Sequence, residues 1–361
     1  MESALKGQTV ALLRRNGLVE SAHAIALCAS DANGRVVEHS GNIDATVILR
    51  STVKPFIAAS VVRSGAADAA GFTGAELAIA SGSHHGEREH VRIVEAMLEK
   101  IGLTPSDLAC GARPPKNQQT AEALLREGKA YDALHDMCSG NHALLLAMAK
   151  HRGWPTEGYT HADHPVQRAL FETYRTVFDA PGDLDYAIDG CNIPTLAISL
   201  RQLAVGFARF ASLERSRKDE GGALLRVRDA MIEFPFAVGG TQSLDTALIA
   251  NSNGRAVGKI GAEGMYGLAF PPIGIGVAIK VIDGNQRPLP VVIDHVLDRF
   301  EMNSPDLHKA LRRFFGEIRL RANGVRLEND EYSRDTLPVA LATELQSSQT
   351  PSPGASPRSP R

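Results

Sequence analysis

The sequence predicts a mixed α/β (α+β) fold in which a sheet is interrupted by a helical insertion. Two observations carry this. Apolar runs of strand length, bounded by turn residues, gather toward both ends of the chain, while the stretch between them repeats its apolar residues at helical spacing. A length of 361 residues exceeds the usual single core, so one large domain or two closely packed lobes is expected.

At the start, residues 9–14 and 22–30 flank the turn signal Arg15-Asn16-Gly17 and read as an antiparallel pair. Residues 47–50 form a further short strand leading into Ser51. Beyond it Phe56, Ile57, Ser60, Val61 and Val62 take up helical spacing. Pro55 is compatible with that helix only in its first turn, where a missing N–H goes unused, so Ser51 falls at the helix start. A short apolar run, 76–80, precedes Ser81-Gly82-Ser83-His84-His85-Gly86. A helix then starts near Glu87, carrying Val91, Ile93, Val94, Met97, Leu98 and Ile101 inward, and Gly102 ends it.

Helices are expected over 121–127, 142–152 and 166–178. A long one is expected from Thr195 to about Arg215, opened by Pro194, and another over 223–234 after the polar loop 218–222. Past Gly240 strands return: 274–283 is the clearest, with 266–270 as its partner. Residues 290–302 and 304–315 supply closing helices. The layout is one domain over 1–345, with sheet regions at about 8–85 and 240–340 around a helical region at about 87–235. A cleft between the two parts is where a site is expected. The tail 346–361, rich in Ser, Pro and Arg, is expected to be disordered.

Composition narrows the function classes. Hydrophobic residues make up 43 % and charged residues 22 %, with a net charge of −2 and no basic run, so small-molecule chemistry is favoured over a nucleic-acid partner. No apolar run has the length of a membrane span, and the first residues lack the pattern of a secretory signal. Four cysteines do not make a disulfide framework in a chain this long, so a cytoplasmic protein with reduced thiols is expected.

Four groups of residues can carry chemistry. In Ser51-Thr52-Val53-Lys54 the spacing puts hydroxyl and amine on one helix face. A serine needs an adjacent base, and a lysine serves when burial or a nearby positive charge holds it neutral. The bland account is a helix cap with an exposed lysine. Ser83, with His84 and His85, is the second group; adjacent histidines point apart, which argues against shared metal ligation, and His90 reads as a helix-surface partner of Glu87. Cys138 in MCSGNH and Cys191 in DGCNIP could bind zinc, though their spacing adds nothing and buried inert thiols explain them equally. Lys259 in KIGAEGMYG is either half of a surface ion pair with Glu263 or a second lysine in the cleft, preceded by Thr241, Asp245 and Thr246.

The ordered set RSTVKPF, ASGSHHGEREHV, CGARPP, CSGNHA, DGCNIPT, GGTQSLDT and KIGAEGMYGLAF resembles the rhizobial-type, thermolabile L-asparaginase family, over about residues 9–320. The resemblance implies a fold like that of serine β-lactamases and penicillin-binding proteins, with a central antiparallel sheet and flanking helices, assembled as a homodimer. It implies hydrolysis of asparagine to aspartate and ammonia by two Ser–Lys pairs, Ser51 with Lys54 and Ser83 with Lys259. It also implies a zinc ion held by two cysteines, here Cys138 and Cys191, and a lysine. The family's C-S-G-K-H reads C-S-G-N-H here, so Asn141 stands where the amine donor would be, and an amide does not replace an amine on zinc with similar strength, which leaves a weak site, one completed by water or His142, or none.

On this reading Ser51 attacks the side-chain amide while neutral Lys54 takes its proton, and Ser83 and Lys259 relay protons. Asp189 and Asp245 are expected at the substrate's α-ammonium and Arg50 at its carboxylate. Glutamine or another ω-amide could be the substrate instead, since one methylene discriminates by only about 1–3 kcal/mol. Outside enzyme chemistry, the same residues fit a non-catalytic amino-acid sensor or a structural zinc protein.

Overall fold

The structure, a computed structural model, describes residues 7, 9–15, 18–180, 182–212, 220–315, 321–322, 325–326 and 330–332. Strands β1 (Thr9–Arg15) and β2 (Leu18–Asp31) form the expected hairpin, with Leu13 opposite Ser21 and a register shift just after it. β3 (Val36–Ser40) returns along β2, and the short β4 (Thr46–Ile48) leads to a 3-10 turn, Arg50–Val53. Here the sheet pauses, although the sequence pattern extends the sheet region to about residue 85. Helices α1 (Lys54–Arg63), α2 (Ala66–Ala69) and α3 (Gly74–Ser81) follow instead. The T-x-x-E signature of a capping box explains α3: Thr73 accepts from the Glu76 N–H while the Glu76 carboxylate takes the Thr73 N–H at 2.6 Å.

The helical region runs through α4 (Arg88–Lys100), α5 (Gln118–Arg126), α6 (Ser139–His151) and α7 (Pro165–Val177). Strands β5 (Asp185–Ile188) and β6 (Pro194–Ser199) then pair, and β6 also pairs with β4 to make a small three-stranded sheet. The long helix expected from Thr195 is therefore a strand followed by α8 (Leu200–Ala211). The break is set by a second capping box: Ser199 accepts from the Gln202 N–H, and Gln202 answers on the Ser199 N–H at 3.0 Å. Helices α9 (Glu220–Glu233), α10 (Pro235–Gly239) and α11 (Leu244–Asn251) close the region.

Strands β7 (Val257–Gly261), β8 (Met265–Phe270) and β9 (Ile275–Val281) form a meander, with β8 pairing β9 as expected. Helices α12 (Leu289–Arg299) and α13 (Pro305–Arg312) come next, then the short strands β10 (Arg321–Ala322), β11 (Val325–Arg326) and β12 (Asp330–Tyr332). The tail from residue 346 and positions 218–219 of the expected loop lie outside the described residues, whereas 220–222 open α9 rather than forming a loop.

The main sheet is antiparallel, in the order β12-β1-β2-β9-β8-β7. β2 is long enough to serve two partners on one edge, β1 along its first half and β3 along its second, while β9 lies along the other edge. Alternation along the strands sends Ile25, Leu27, Ala29, Val277, Ile279 and Val281 to one face, under α12 and α13. Ala26, Cys28 and Ala278 go to the other, under the helical region. Two cores on two faces give three layers, and this mixed α/β architecture is the class expected from the sequence. α6 is buried along Ser139–Ala149 and α1 along Lys54–Val62, so neither shows a polar face to solvent. Among the described residues no helix is long and apolar enough to cross a membrane.

Candidate active site

The edge of β7, the turn before α1 and the loop after α3 meet at a cavity of about 590 Å³. Ser51, Ser83, Cys138, Asp189, Cys191 and Arg287 are on its wall. Close backbone approach builds the meeting point. A Cβ on Gly261 would stand 3.0 Å from both the Leu49 carbonyl oxygen and Thr52, and one on Gly82 would stand 2.2 Å from the Val238 carbonyl oxygen. The Ser83 N–H donates to that same oxygen at 2.8 Å.

Arg50 opens the turn that carries Ser51 with φ 52°, a left-handed conformation unfavourable for a non-glycine residue. Its guanidinium is committed to Asp189: Nε at 3.0 Å and Nη2 at 2.7 Å both donate to Oδ1, which also accepts from the Gly190 N–H at 2.7 Å. The residue expected to meet a substrate carboxylate therefore has these two donors engaged. Asp189 keeps Oδ2 without a hydrogen bond among the described residues and remains on the cavity wall.

Lys54 is 3 % exposed. Its amine donates to the Gly82 carbonyl at 2.8 Å, to Ser83 Oγ at 3.2 Å and to the Met137 carbonyl at 3.4 Å. The expected Ser51–Lys54 hydrogen bond is not made among the described residues, because these three acceptors draw the amine toward α3 and α6. Lys259 is fully buried and donates to the same Ser83 Oγ at 2.9 Å, to the Ile260 carbonyl at 2.7 Å and to Asp245 Oδ2 at 3.4 Å. Ser83 is thus bridged by both lysines. Glu263 is not the partner of Lys259, and Asp245 does not reach the substrate space: it is 1 % exposed, holding Lys259 and the Ile260 N–H at 3.0 Å.

The two amines are tuned in opposite directions. Burial pulls Lys259 down to about 8 despite the opposing charge of Asp245, and the ammonium of Lys54 adds to the pull. Burial also works against the charge on Lys54, but the Cys138 thiolate, the neighbouring Cys191 and the Asp136 carboxylate outweigh it and hold its pKa above the ordinary lysine value.

The loop carrying Ser83 is fixed by its histidines, which point apart as expected. His84 Nδ1 accepts from the Gly86 N–H at 3.2 Å, so Nε2 carries the hydrogen and donates to Ser139 Oγ at 2.9 Å. His85 bonds the Thr241 carbonyl at 2.9 Å. His90 is not a surface partner of Glu87. It is fully buried, accepts from the Glu87 N–H at 3.1 Å and stacks between His84 and Phe236.

Cys138 and Cys191, far apart in sequence, share the cavity wall as buried free thiols. The neighbouring Cys191 thiol, helped by Lys54, holds the Cys138 thiol below its ordinary value against the effect of burial, while the Cys191 thiol is pushed up. In the first turn of α6, Asn141 Oδ1 and His142 Nε2 are buried atoms with no hydrogen-bond partner among the described residues. Asn141 turns its amide nitrogen to the Ala80 carbonyl at 2.9 Å, and His142 is held by the Tyr159 hydroxyl at 2.6 Å. No group of three or more His, Cys, Asp or Glu suited to a metal lies among the described residues. Two thiols with an uncharged amide in the third position do not fit the expected zinc site.

Sequence reasoning missed Arg287, which gives no periodicity or motif signal in its loop, and the tie between His84 and Ser139, which only the fold brings together.

Two buried amines that converge on one hydroxyl can move protons to and from it. The chain belongs to the L-asparaginase II family, whose family model matches residues 11–328. No curated protein matches the chain. Among solved structures, Mglu in its native form is 15 % identical with a TM-score of 0.38, the match covering 78 % of this chain and 62 % of that one. A β-lactamase from Mycobacterium bovis is 13 % identical with a TM-score of 0.42, covering 76 % of this chain and 94 % of that one.

Proposed function

We propose that the protein hydrolyses L-asparagine to L-aspartate and ammonia by serine–lysine chemistry. One observation carries the mechanism: two buried lysines converge on Ser83 Oγ, at 2.9 Å and 3.2 Å. The family supplies the amide-cleaving class, and the bridge supplies a proton path. Lys259 is the amine nearer neutrality, so it can take the Ser83 proton as Ser83 takes one from Lys54, a transfer that runs uphill because Lys54 is the stronger base. Lys54 is then neutral, and a turn of its amine away from Ser83 would present it to Ser51.

Ser51 Oγ bonds to the side-chain carboxamide carbon as its proton passes to Lys54. The C–N bond breaks as the departing nitrogen gains a proton, and ammonia leaves. Water then cleaves the ester, which releases aspartate and restores Ser51. The start of a helix also offers N–H groups to the developing oxyanion. Asp189, with one carboxylate oxygen unused, suits the α-ammonium.

A second reading of the order rests on the same hydrogen bonds. Both fall on Ser83 and none on Ser51, which favours direct attack by Ser83 with Lys259 as base. Trapping with an electrophilic asparagine analogue and mapping the modified serine separates the two: label on Ser51 supports relay, and label on Ser83 supports direct attack. Absence of ammonia release from asparagine, beside release from glutamine or a chromogenic β-lactam opened instead, would replace the substrate. The homodimer implied by the family resemblance belongs to the same proposal and is checked by sedimentation.

A further inference from the structure

We infer that Arg287 is the residue that takes the α-carboxylate of the substrate, an assignment that rests on an amino-acid amide being the substrate. Arg50, the cation nearest Ser51 in sequence, has Nε and Nη2 engaged by Asp189. Arg113 is drawn away as well, toward the Gly190 carbonyl and, at 3.4 Å, the Asp136 carboxylate. Lys116 stands exposed at the rim. Arg287 differs from all three. It lines the cavity, and among the described residues its Nη2 is a buried donor with no hydrogen-bond partner.

A buried guanidinium nitrogen left without an acceptor is costly, and a turn of the side chain toward the cavity it lines would bring that nitrogen to an entering carboxylate. Asp189 is the only carboxylate residue on the described cavity wall, and Arg50 already holds it, so no wall carboxylate is left to compete for Arg287. The loop that carries Arg287 is braced before any ligand arrives. The Arg287 N–H donates to Asn285 Oδ1 at 2.9 Å, the Asn285 N–H to Asp283 Oδ1 at 2.9 Å, and Gln286 Nε2 to the Gly261 carbonyl at 3.0 Å. That last bond ties the loop to the end of β7, the strand of Lys259. With Asp189 offering an acceptor and Arg287 a donor, the wall has one group for each end of a zwitterion. An arginine with this pairing selects free α-carboxylates over amides or esters.

The test uses the full chain and the variants Arg287→Met and Arg287→Lys. Ammonia release is measured from asparagine and from asparaginamide, which lacks the carboxylate, and aspartate binding is followed by calorimetry. In Arg287→Met the preference for asparagine over asparaginamide should fall about tenfold or more, mainly through KM, and aspartate affinity should fall similarly, the size of one lost charge-assisted hydrogen bond. Arg287→Lys should recover part of both. An unchanged preference, an unchanged aspartate affinity, or wild-type protein that fails to bind aspartate each overturns the assignment. Wild-type protein that binds aspartate through Arg287 yet releases no ammonia from asparagine would instead remove the asparaginase reading and leave this one standing. A misfolded Arg287→Met would lose activity on both amides equally, and the lysine variant then decides the matter.

Discussion

Lys259 donates to Ser83 Oγ at 2.9 Å although the two residues stand 176 positions apart in the chain. The hydroxyl they share with Lys54 sits between an amine held down to about 8 and one held above the ordinary value. Proton movement across it runs downhill from Lys259 to Lys54 and uphill the other way, and it depends on pH.

The base form of Lys259 is the neutral amine, so kcat/KM for asparagine should rise with pH and level off above about 8. A pH–rate profile checks this. A flat profile through that region would remove Lys259 from the proton path.

Asp245 raises the Lys259 pKa by its charge. Asp245→Asn removes that charge, so the pKa falls and the rising limb should move to lower pH. The amide oxygen can still accept the Ile260 N–H, which Asp245 now holds at 3.0 Å. An unshifted limb in a correctly folded variant would contradict the coupling.

Ser83→Ala leaves both amines without their common acceptor. Turnover should fall by about a hundredfold or more, the scale of a lost proton-transfer group. A melting temperature close to that of the parent would show that the loss is chemical.

Asn141→Lys restores an amine where the family resemblance places a zinc donor. Zinc content after dialysis, measured by elemental analysis, should be higher in the variant than in the parent. Equal content would mean that position 141 does not govern metal retention.

Gly276 lets α8 lie directly on β9. A Cβ there would stand 2.0 Å from the Ala208 nitrogen and 2.3 Å from the Ala204 carbonyl oxygen, both backbone atoms that cannot swing aside. Gly276→Ala should cost about 2–3 kcal/mol in denaturant unfolding. Gly222→Ala, on α9 with nothing within 4 Å of the added carbon, should be neutral or slightly stabilising.

Much of the fold is legible where one local rule dominates. The hairpin around Asn16-Gly17, the β8–β9 pair and the helix of Val94, Met97 and Leu98 all follow from turn chemistry or periodicity. At Thr195 two local signals conflict. Pro194 reads as a helix opener, yet the capping box at Ser199 and Gln202 prevails, and β6 is fixed by partners that no local window contains. In the site, residue types are legible and pairings are not. Helix spacing matches Lys54 to Ser51, but three acceptors from distant segments outcompete that neighbour. Asp245 looks like a ligand group because sequence does not reveal that Lys259 and the Ile260 N–H enclose it.

The bridge over Ser83 draws on segments that leave the ribosome at very different times. Lys54 and Ser83 emerge early, whereas β7 brings Lys259 only after the whole helical region, and β9 must still thread between β8 and the N-terminal hairpin. A nascent chain thus carries both serines long before it carries the second amine. Synthesis itself keeps the hydroxyls idle until the sheet is closed, and a chain truncated before β7 should be inert toward free amino acids.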